Sequence, residues 1–158
     1  MKYKGNGNGE RFSCNMQQLG GSMREIKFRG KDILNGEWIK GYLFYDYNNA
    51  DEYRPFITYK SEAFLGGVNE QQIDEGTIGQ FTGLHDKNRK EIYEGDIVDV
   101  TRPCIYETGT IIFKNGCFFI KVKETLLALW ECEPNNYQLE VIGNIYENSN
   151  LLKGADNI

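Results

Sequence analysis

The sequence is poor in the residues that build metal sites and disulfide frameworks. Its 158 residues include one histidine, His85, and four cysteines at 14, 104, 117 and 132, none of which forms a Cys-x-x-Cys pair. Zinc sites need closely spaced thiolate and imidazole ligands, so neither a metal site nor a zinc knuckle is predicted. In a reducing compartment such cysteines are expected to be free thiols packed as small apolar groups.

Long apolar runs are also lacking. No stretch approaches the roughly 18 apolar residues that a membrane helix needs, and the N-terminus has no apolar signal-peptide core. We therefore expect neither insertion into a membrane nor secretion, and we place the protein in the cytosol.

Motifs for catalysis are missing as well. No serine or cysteine stands at a spacing that would pair it with His85 as a nucleophile, and no glycine cluster leads into a Lys-Ser/Thr pair that could hold phosphate. The acidic residues between 74 and 99 lack the ligand positions and sharp-turn glycine of a calcium loop. The sequence predicts no catalytic residue, no cofactor, no metal and no enzyme activity.

The charge is unevenly distributed along the chain. The net charge is −5, but residues 1–22 carry three basic side chains and one acidic one, which leaves −7 for the remainder. An acidic body repels the phosphate backbone, which argues against non-specific nucleic-acid binding unless basic residues cluster on one face.

What the sequence does contain favours β-structure: 18 glycines and 10 tyrosines. From Ile26 the residues alternate apolar and basic, and a turn at Asn35-Gly36 leads into an aromatic stretch at 38–45. Residues 54–59 suit a third short strand, whose Pro55 needs an edge or first position. Residues 61–75 are predicted to be a loop, in which the polar run 69–72 suits one helical turn.

The second half predicts strands at 77–82, 92–100, 109–113, 117–123 and 139–146, with a bulge at Gly143. Asn115-Gly116 between apolar runs is a strong hairpin signal. Residues 124–131 suit either a short helix or a buried strand. Five or so short strands with a tight central hairpin fit a small SH3-like barrel.

Several strings carry a family resemblance. Residues 23–31, MREIKFRGK, and 38–43, WIKGYL, are followed by 77–84, TIGQFTGL, by 91–98, EIYEGDIV, and by 140–148, EVIGNIYEN. In this order they resemble the YopX-like family of phage and prophage proteins over nearly all of residues 23–152. The resemblance implies an SH3-type barrel in the C-terminal half behind a smaller N-terminal β portion, and implies no activity or site residue.

One position departs from the family pattern, in which Asp-Lys-Asn is usually followed by glycine. Arg89 stands there, so we predict a type I turn with no positive φ at that residue.

The predicted organisation is mainly β, a β-rich α+β class, in four segments. A disordered leader or mis-assigned start covers 1–22, because Met23 is a plausible natural start. The N-terminal β portion with its loop covers 23–75, the SH3-like barrel 76–148 and a flexible tail 149–158.

Two groups of residues are candidates for contact with nucleic acid or another partner. Arg24, Lys27, Arg29 and Lys31 form the first group, and the last three share one face of an extended segment. Phe119, Lys121 and Lys123 form the second, on one face of a strand whose other face is apolar. The alternative is that these lysines only keep exposed strands soluble.

These sequence features predict two alternative functions. The first is a non-enzymatic accessory protein that contacts an unknown phage or host protein, or a second copy of itself, through a groove, a sheet edge or its aromatic first half. The second, which we rank lower because of the acidic body, is nucleic-acid binding by the basic N-terminal face.

Overall fold

The computed structural model describes residues 25–48, 52–62, 66–102, 105–132 and 137–153. These residues form eleven β-strands in two antiparallel sheets and one short helix, so the prediction of a mainly β protein is confirmed. No helix in this part of the chain is long and apolar enough to cross a membrane. The predicted leader, residues 1–22, and Arg24 lie outside the described residues.

The first sheet has six strands in the order β4-β3-β2-β1-β5-β6. Their bounds are β1 (Phe28–Lys31), β2 (Trp38–Asn48), β3 (Glu52–Lys60), β4 (Val68–Gln72), β5 (Gly79–His85) and β6 (Glu91–Tyr93). Strands β5 and β6 come from the segment that we assigned to the barrel, so the change from one sheet to the other falls after Tyr93.

The second sheet has five strands in the order β10-β9-β8-β7-β11. Their bounds are β7 (Asp96–Arg102), β8 (Ile105–Lys114), β9 (Cys117–Val122), β10 (Thr125–Ala128) and β11 (Gln138–Asn144), and helix α1 (Asn150–Lys153) follows. Four strands form a meander and the fifth returns beside the first. Within the described ranges β10 and β11 are the two edges and do not pair, so this sheet is open and the expected closed barrel is not formed.

The first four strands curl around a small core of Ile57 and Ile73, which are 0% and 1% exposed. An isolated bridge between Asp32 and Ile73 brings the end of β4 back to the end of β1. Gly30 permits this curl, because a Cβ atom there would lie 2.5 Å from Ile73 Cδ1. A larger residue would push the two chain segments apart.

The second sheet encloses the larger core. Alternate side chains of β9 point into this core, as the sequence predicted. Phe118, Ile120 and Val122 point into it. The open side of this core is covered from the first sheet, since Leu84 at the end of β5 packs against it.

The turn after β5 also occupies the edge of β11. The Lys87 amide donates to the Leu139 carbonyl at 2.9 Å, and the Val141 amide donates to Asp86 Oδ2 at 3.0 Å. Asp86 Oδ1 accepts from the amides of Asn88 and Lys90 within its own turn. Burial alone would raise the pKa of Asp86, but these three amide donors outweigh it and the pKa lies below its ordinary value.

The predicted loop at 61–75 needs correction. Val68–Gln72 forms β4 along the edge of β3 instead of a loop with a helical turn, and 75–77 forms a 3₁₀ turn. The polar sequence of β4 has little strand propensity, and its pairing with β3 determines its conformation. Helix α1 (Asn150–Lys153) lies within the segment 149–158 that was predicted to be a flexible tail.

The uncertain segment 124–131 contains both a strand and a helical turn, since β10 is followed by a 3₁₀ turn at Leu129–Glu131. The predicted bulge is present, as the register between β11 and β7 shifts between Val141 and Gly143. The hairpin at Asn115-Gly116 is confirmed by φ angles of 51° and 82°, which suit a type I′ turn.

The turn at 86–89 agrees only partly with the prediction. The Arg89 amide donates to the Asp86 carbonyl at 2.9 Å, as expected for a type I turn. Arg89 itself, however, has a φ of 64°, so the prediction of no positive φ there is wrong. The loop is a type I turn followed by one left-handed residue, a position usually taken by glycine.

Replacing this arginine should therefore stabilise the protein. The left-handed conformation costs an ordinary residue about 1–2 kcal/mol, and the greater flexibility of glycine offsets about 0.5–1 kcal/mol of the gain. We expect Arg89→Gly to raise the free energy of unfolding in urea by about 0.5–1 kcal/mol. Asn115→Gly is the matched control and should gain less, because asparagine tolerates positive φ. A loss of stability in Arg89→Gly would contradict this account of the turn.

Candidate interaction surface

The predicted basic face of the first strand exists, but it does not face solvent. Lys27, Arg29 and Lys31 lie on the same side of the first sheet, as their spacing predicted, and the start of the second sheet packs against that side. The Arg29 side chain is 8% exposed and its Nη1 lies 2.6 Å from Asp96 Oδ1, whose side chain is 1% exposed. The Arg29 guanidinium also stacks on Trp38 and Tyr93, 4.7 and 5.0 Å from their ring centroids.

The two neighbouring lysines also have carboxylate partners. Lys31 Nζ lies 2.8 Å from Glu147 Oε1, which also accepts a hydrogen bond from Trp38 Nε1 at 3.1 Å. Lys27 Nζ lies 2.5 Å from Glu91 Oε1 and 4.6 Å from the Phe81 ring centroid. The positive charge of this face is therefore compensated within the protein.

Glu91 lies at the centre of the hydrogen bonds and ion pairs around Lys27. Its Oε2 accepts from Lys40 Nζ at 3.0 Å and from the Tyr93 hydroxyl at 2.9 Å. Burial would raise the pKa of Glu91, but the hydrogen bonds from Lys27, Lys40 and Tyr93 outweigh it and lower the pKa to about 2. Burial would lower the pKa of Lys27, and its contacts with Glu91 and Glu25 raise it instead.

The second predicted group lies on the outer face of the second sheet. Phe119 in β9 is half-buried, Lys121 is exposed, and Lys123 occupies the following turn with a φ of 51°. The two predicted groups lie in different sheets.

An exposed aromatic surface is formed by the part of the β2–β3 hairpin that extends beyond the neighbouring strands β1 and β4. Strand β1 pairs with β2 only over Trp38–Gly41, and β4 pairs with β3 only over Phe56–Lys60. Residues 45–48 and 52–55 therefore form a two-stranded extension, which we call the tyrosine ribbon. Within the described ranges, no further strand pairs along either of its edges.

One face of the tyrosine ribbon carries three tyrosines. Tyr45, Tyr47 and Tyr53 are 47%, 51% and 67% exposed, and the rings of Tyr47 and Tyr53 lie 5.0 Å apart. The opposite face is charged, with Arg54 Nη2 2.9 Å from Glu52 Oε2. The sequence indicated an aromatic first half through Tyr45 and Tyr47, but not that the hairpin extends beyond the sheet.

A groove lies beside the β3 strand of the tyrosine ribbon, with a volume of about 620 Å³. Its walls are the ribbon residues 52–55, the turn after β1 and the segment after β4. Charged residues in its lining are Lys31, Asp32, Glu52, Arg54, Asp74 and Glu75. We call it the acidic groove, since four carboxylates face two cations. Sequence reasoning missed it because it is formed around a segment that was predicted to be a loop.

No metal centre is assembled in the described part of the chain. No set of three or more His, Cys, Asp and Glu residues there could hold a metal ion. His85 packs edge-on against Phe81, with ring centroids 5.6 Å apart. Cys117 and Cys132 are free thiols, the first exposed and the second buried.

These features define a two-sheet antiparallel β protein whose sheets are joined by buried charge and whose first sheet extends a tyrosine-bearing ribbon. The chain belongs to the YopX protein family, whose model matches residues 27–153. The fold is similar to the crystal structure of protein EF1440 from Enterococcus faecalis, with a TM-score of 0.54 and 24% identity, over 82% of this chain and 99% of that one. Comparison with curated proteins gave no significant match.

Removing the buried arginine should be strongly destabilising. Arg29→Gln leaves the Asp96 carboxylate buried without its cation, and breaking a buried pair in this way costs about 3–5 kcal/mol. Urea denaturation should show a loss of that order. Lys40→Gln, at a half-exposed lysine, should cost less than about 1 kcal/mol. Equal losses in the two variants would show that the Arg29–Asp96 pair does not hold the sheets together.

The Glu91 carboxylate should make stability depend on acid pH. Its pKa is about 2 in the folded protein, against an ordinary value of 4.5. The unfolded chain therefore binds more protons between these values, and the stabilisation present above about pH 4.5 is lost as the pH falls towards 2. We expect wild type to lose stability more steeply than Glu91→Gln across this window. Glu124→Gln, in an exposed turn, should follow wild type in the same urea titrations.

Proposed function

We propose that this protein is a non-enzymatic accessory protein of a phage or prophage that acts in the cytosol of the bacterial host by binding another protein. The observation that carries the proposal is the tyrosine ribbon, which presents three exposed tyrosines on one face beyond the edges of both neighbouring strands. These three rings are 47% or more exposed, so most of their apolar area is not buried in the core of the chain.

The chemistry of the ribbon suits a protein partner. Tyrosine is enriched at protein interfaces because it offers a large apolar area and a hydrogen-bonding hydroxyl at a small cost in conformational entropy. The contact between the Tyr47 and Tyr53 rings restricts both side chains before any partner arrives. This reduces the entropy lost on binding.

We also propose that the second sheet is an SH3-like module. This is supported by its strand order, a four-strand meander with a fifth strand returning beside the first, although β10 and β11 do not pair within the described ranges. The 3₁₀ turn at Leu129–Glu131 precedes that last strand. Small barrels of this type often bind peptides, although this support is by fold analogy alone.

Nucleic-acid binding ranks lower. Lys27, Arg29 and Lys31 each have a carboxylate partner at 3.0 Å or less, so binding a phosphate backbone would require these ion pairs to break. The acidic body opposes the approach of phosphate as well. A second copy of the chain is the other possible partner, and the experiment below separates it from a different protein.

Site-specific photo-cross-linking in the bacterial host tests the proposal. A benzophenone amino acid at position 47 should give adducts with a distinct protein. The matched control places it at Tyr106 in the second sheet, which is 66% exposed against 51% for Tyr47, and should give none. Adducts that disappear on nuclease treatment would favour nucleic acid, and an adduct of twice the chain mass would favour self-association. Equal adducts from both positions, or none, would contradict the proposal.

A further inference from the structure

We infer that the acidic groove binds an extended, lysine- or arginine-bearing segment of the partner, which adds as a strand to the free edge of β3. This inference rests on the proposed function and names the class of partner that the ribbon would serve. It follows from the backbone of the groove, from its charge and from its apolar walls.

Strand β4 pairs with β3 only over Phe56–Lys60 and ends before it reaches residues 52–55. The backbone of β3 is therefore available at the groove. The last residue of β4, Gln72, pairs with Phe56, and the chain then turns away towards Asp74. The Pro55 carbonyl accepts a hydrogen bond from the Ile73 amide at 3.0 Å, so the backbone groups of residue 55 face the β4 side. Because these directions alternate along a strand, the N–H and C=O of Tyr53 face the same side.

No described strand takes up these two groups of Tyr53. An extended peptide lying antiparallel to β3 could pair with both and would continue the sheet where β4 ends. The proline supports this arrangement, since Pro55 has no N–H to offer and an edge position is the one where a strand tolerates proline. The groove volume of about 620 Å³ is within the range of ordinary ligand sites.

The charge of the groove selects a basic partner. Its two cations are already engaged, Lys31 with Glu147 at 2.8 Å and Arg54 with Glu52 at 2.9 Å. Asp74 and Glu75 are exposed at the rim, where Asp74 Oδ1 accepts from the Gly76 amide. A lysine or arginine beside them would meet excess negative charge, and an acidic segment would be repelled.

The apolar walls add a second requirement. Ile33 and Tyr53 line the groove and are 50% and 67% exposed. Side chains of an added strand point alternately to its two faces, so a segment that alternates basic and apolar residues satisfies the carboxylates and the apolar walls together. The ligand class is therefore an extended basic peptide with alternating apolar residues.

The test uses purified full-length protein and a fluorescein-labelled seven-residue peptide of alternating valine and lysine. Fluorescence polarisation should show saturable binding, which the same peptide with glutamate for lysine should lack. Asp74→Asn with Glu75→Gln should weaken binding about tenfold, because two rim charges are lost while the amide at 74 keeps the turn capped. Glu124→Gln with Glu131→Gln removes the same charge from the second sheet and should change affinity less than twofold.

Strand addition has its own readout. Hydrogen exchange at the Tyr53 amide should slow at least tenfold in saturating peptide, and a peptide with N-methyl groups along one edge should lose this protection and its affinity. Equal binding by the lysine and glutamate peptides, or equal weakening in the two double variants, would overturn the inference. So would unchanged exchange at Tyr53, or a concentration-dependent dimer in sedimentation that protects Tyr53 without peptide.

Failure of this inference can be told from failure of the proposed function. If position 47 cross-links to a protein in cells but the valine–lysine peptide does not bind, the interaction module stands and the assigned partner chemistry is wrong. If neither experiment gives a signal, both fail.

Discussion

The contact between Arg29 and Asp96 is the constraint on which the arrangement of the two sheets depends. Arg29 belongs to β1 and Asp96 is the first residue of β7, so the pair joins one sheet to the other where the chain passes between them. Either charge alone would be costly to bury at this depth, and each is accommodated only by the presence of the other. The two sheets are therefore expected to form together, with the rings of Trp38 and Tyr93 closing around the guanidinium.

The same contact shows the limit of reasoning from strand periodicity. A period of two correctly placed Lys27, Arg29 and Lys31 on one face, because alternation is a local property of an extended chain. It could not show that this face is covered, since Glu91, Asp96 and Glu147, which cover it, follow more than sixty residues later in the sequence. Which face of a strand is solvated is decided by the packing of the whole molecule.

Turns and edge strands show the same division between local and distant causes. Asn115-Gly116 was predictable because both residues accept positive φ. The positive φ of Arg89 was not predictable. The buried Asp86 carboxylate accepts hydrogen bonds from the amides of its own turn and from β11. This network holds Arg89 in a conformation that glycine usually adopts. Strand β4 was missed because its polar residues become a strand only against β3. The acidic groove depends on that strand and was missed with it.

The length of the tyrosine ribbon separates two stages of an encounter. Four residues beyond the sheet correspond to about 13 Å at the rise of a β-strand, which exceeds the Debye length of about 8 Å at physiological salt. Asn48 and Glu52, the last described pair of the ribbon, are therefore largely screened from the negative charge of the body, and the field that a colliding molecule meets there comes from the charged face of the ribbon itself. The acidic groove extends along the same strand, because Glu52 lines it, so selection by charge begins at the outer end of the ribbon rather than at the sheet.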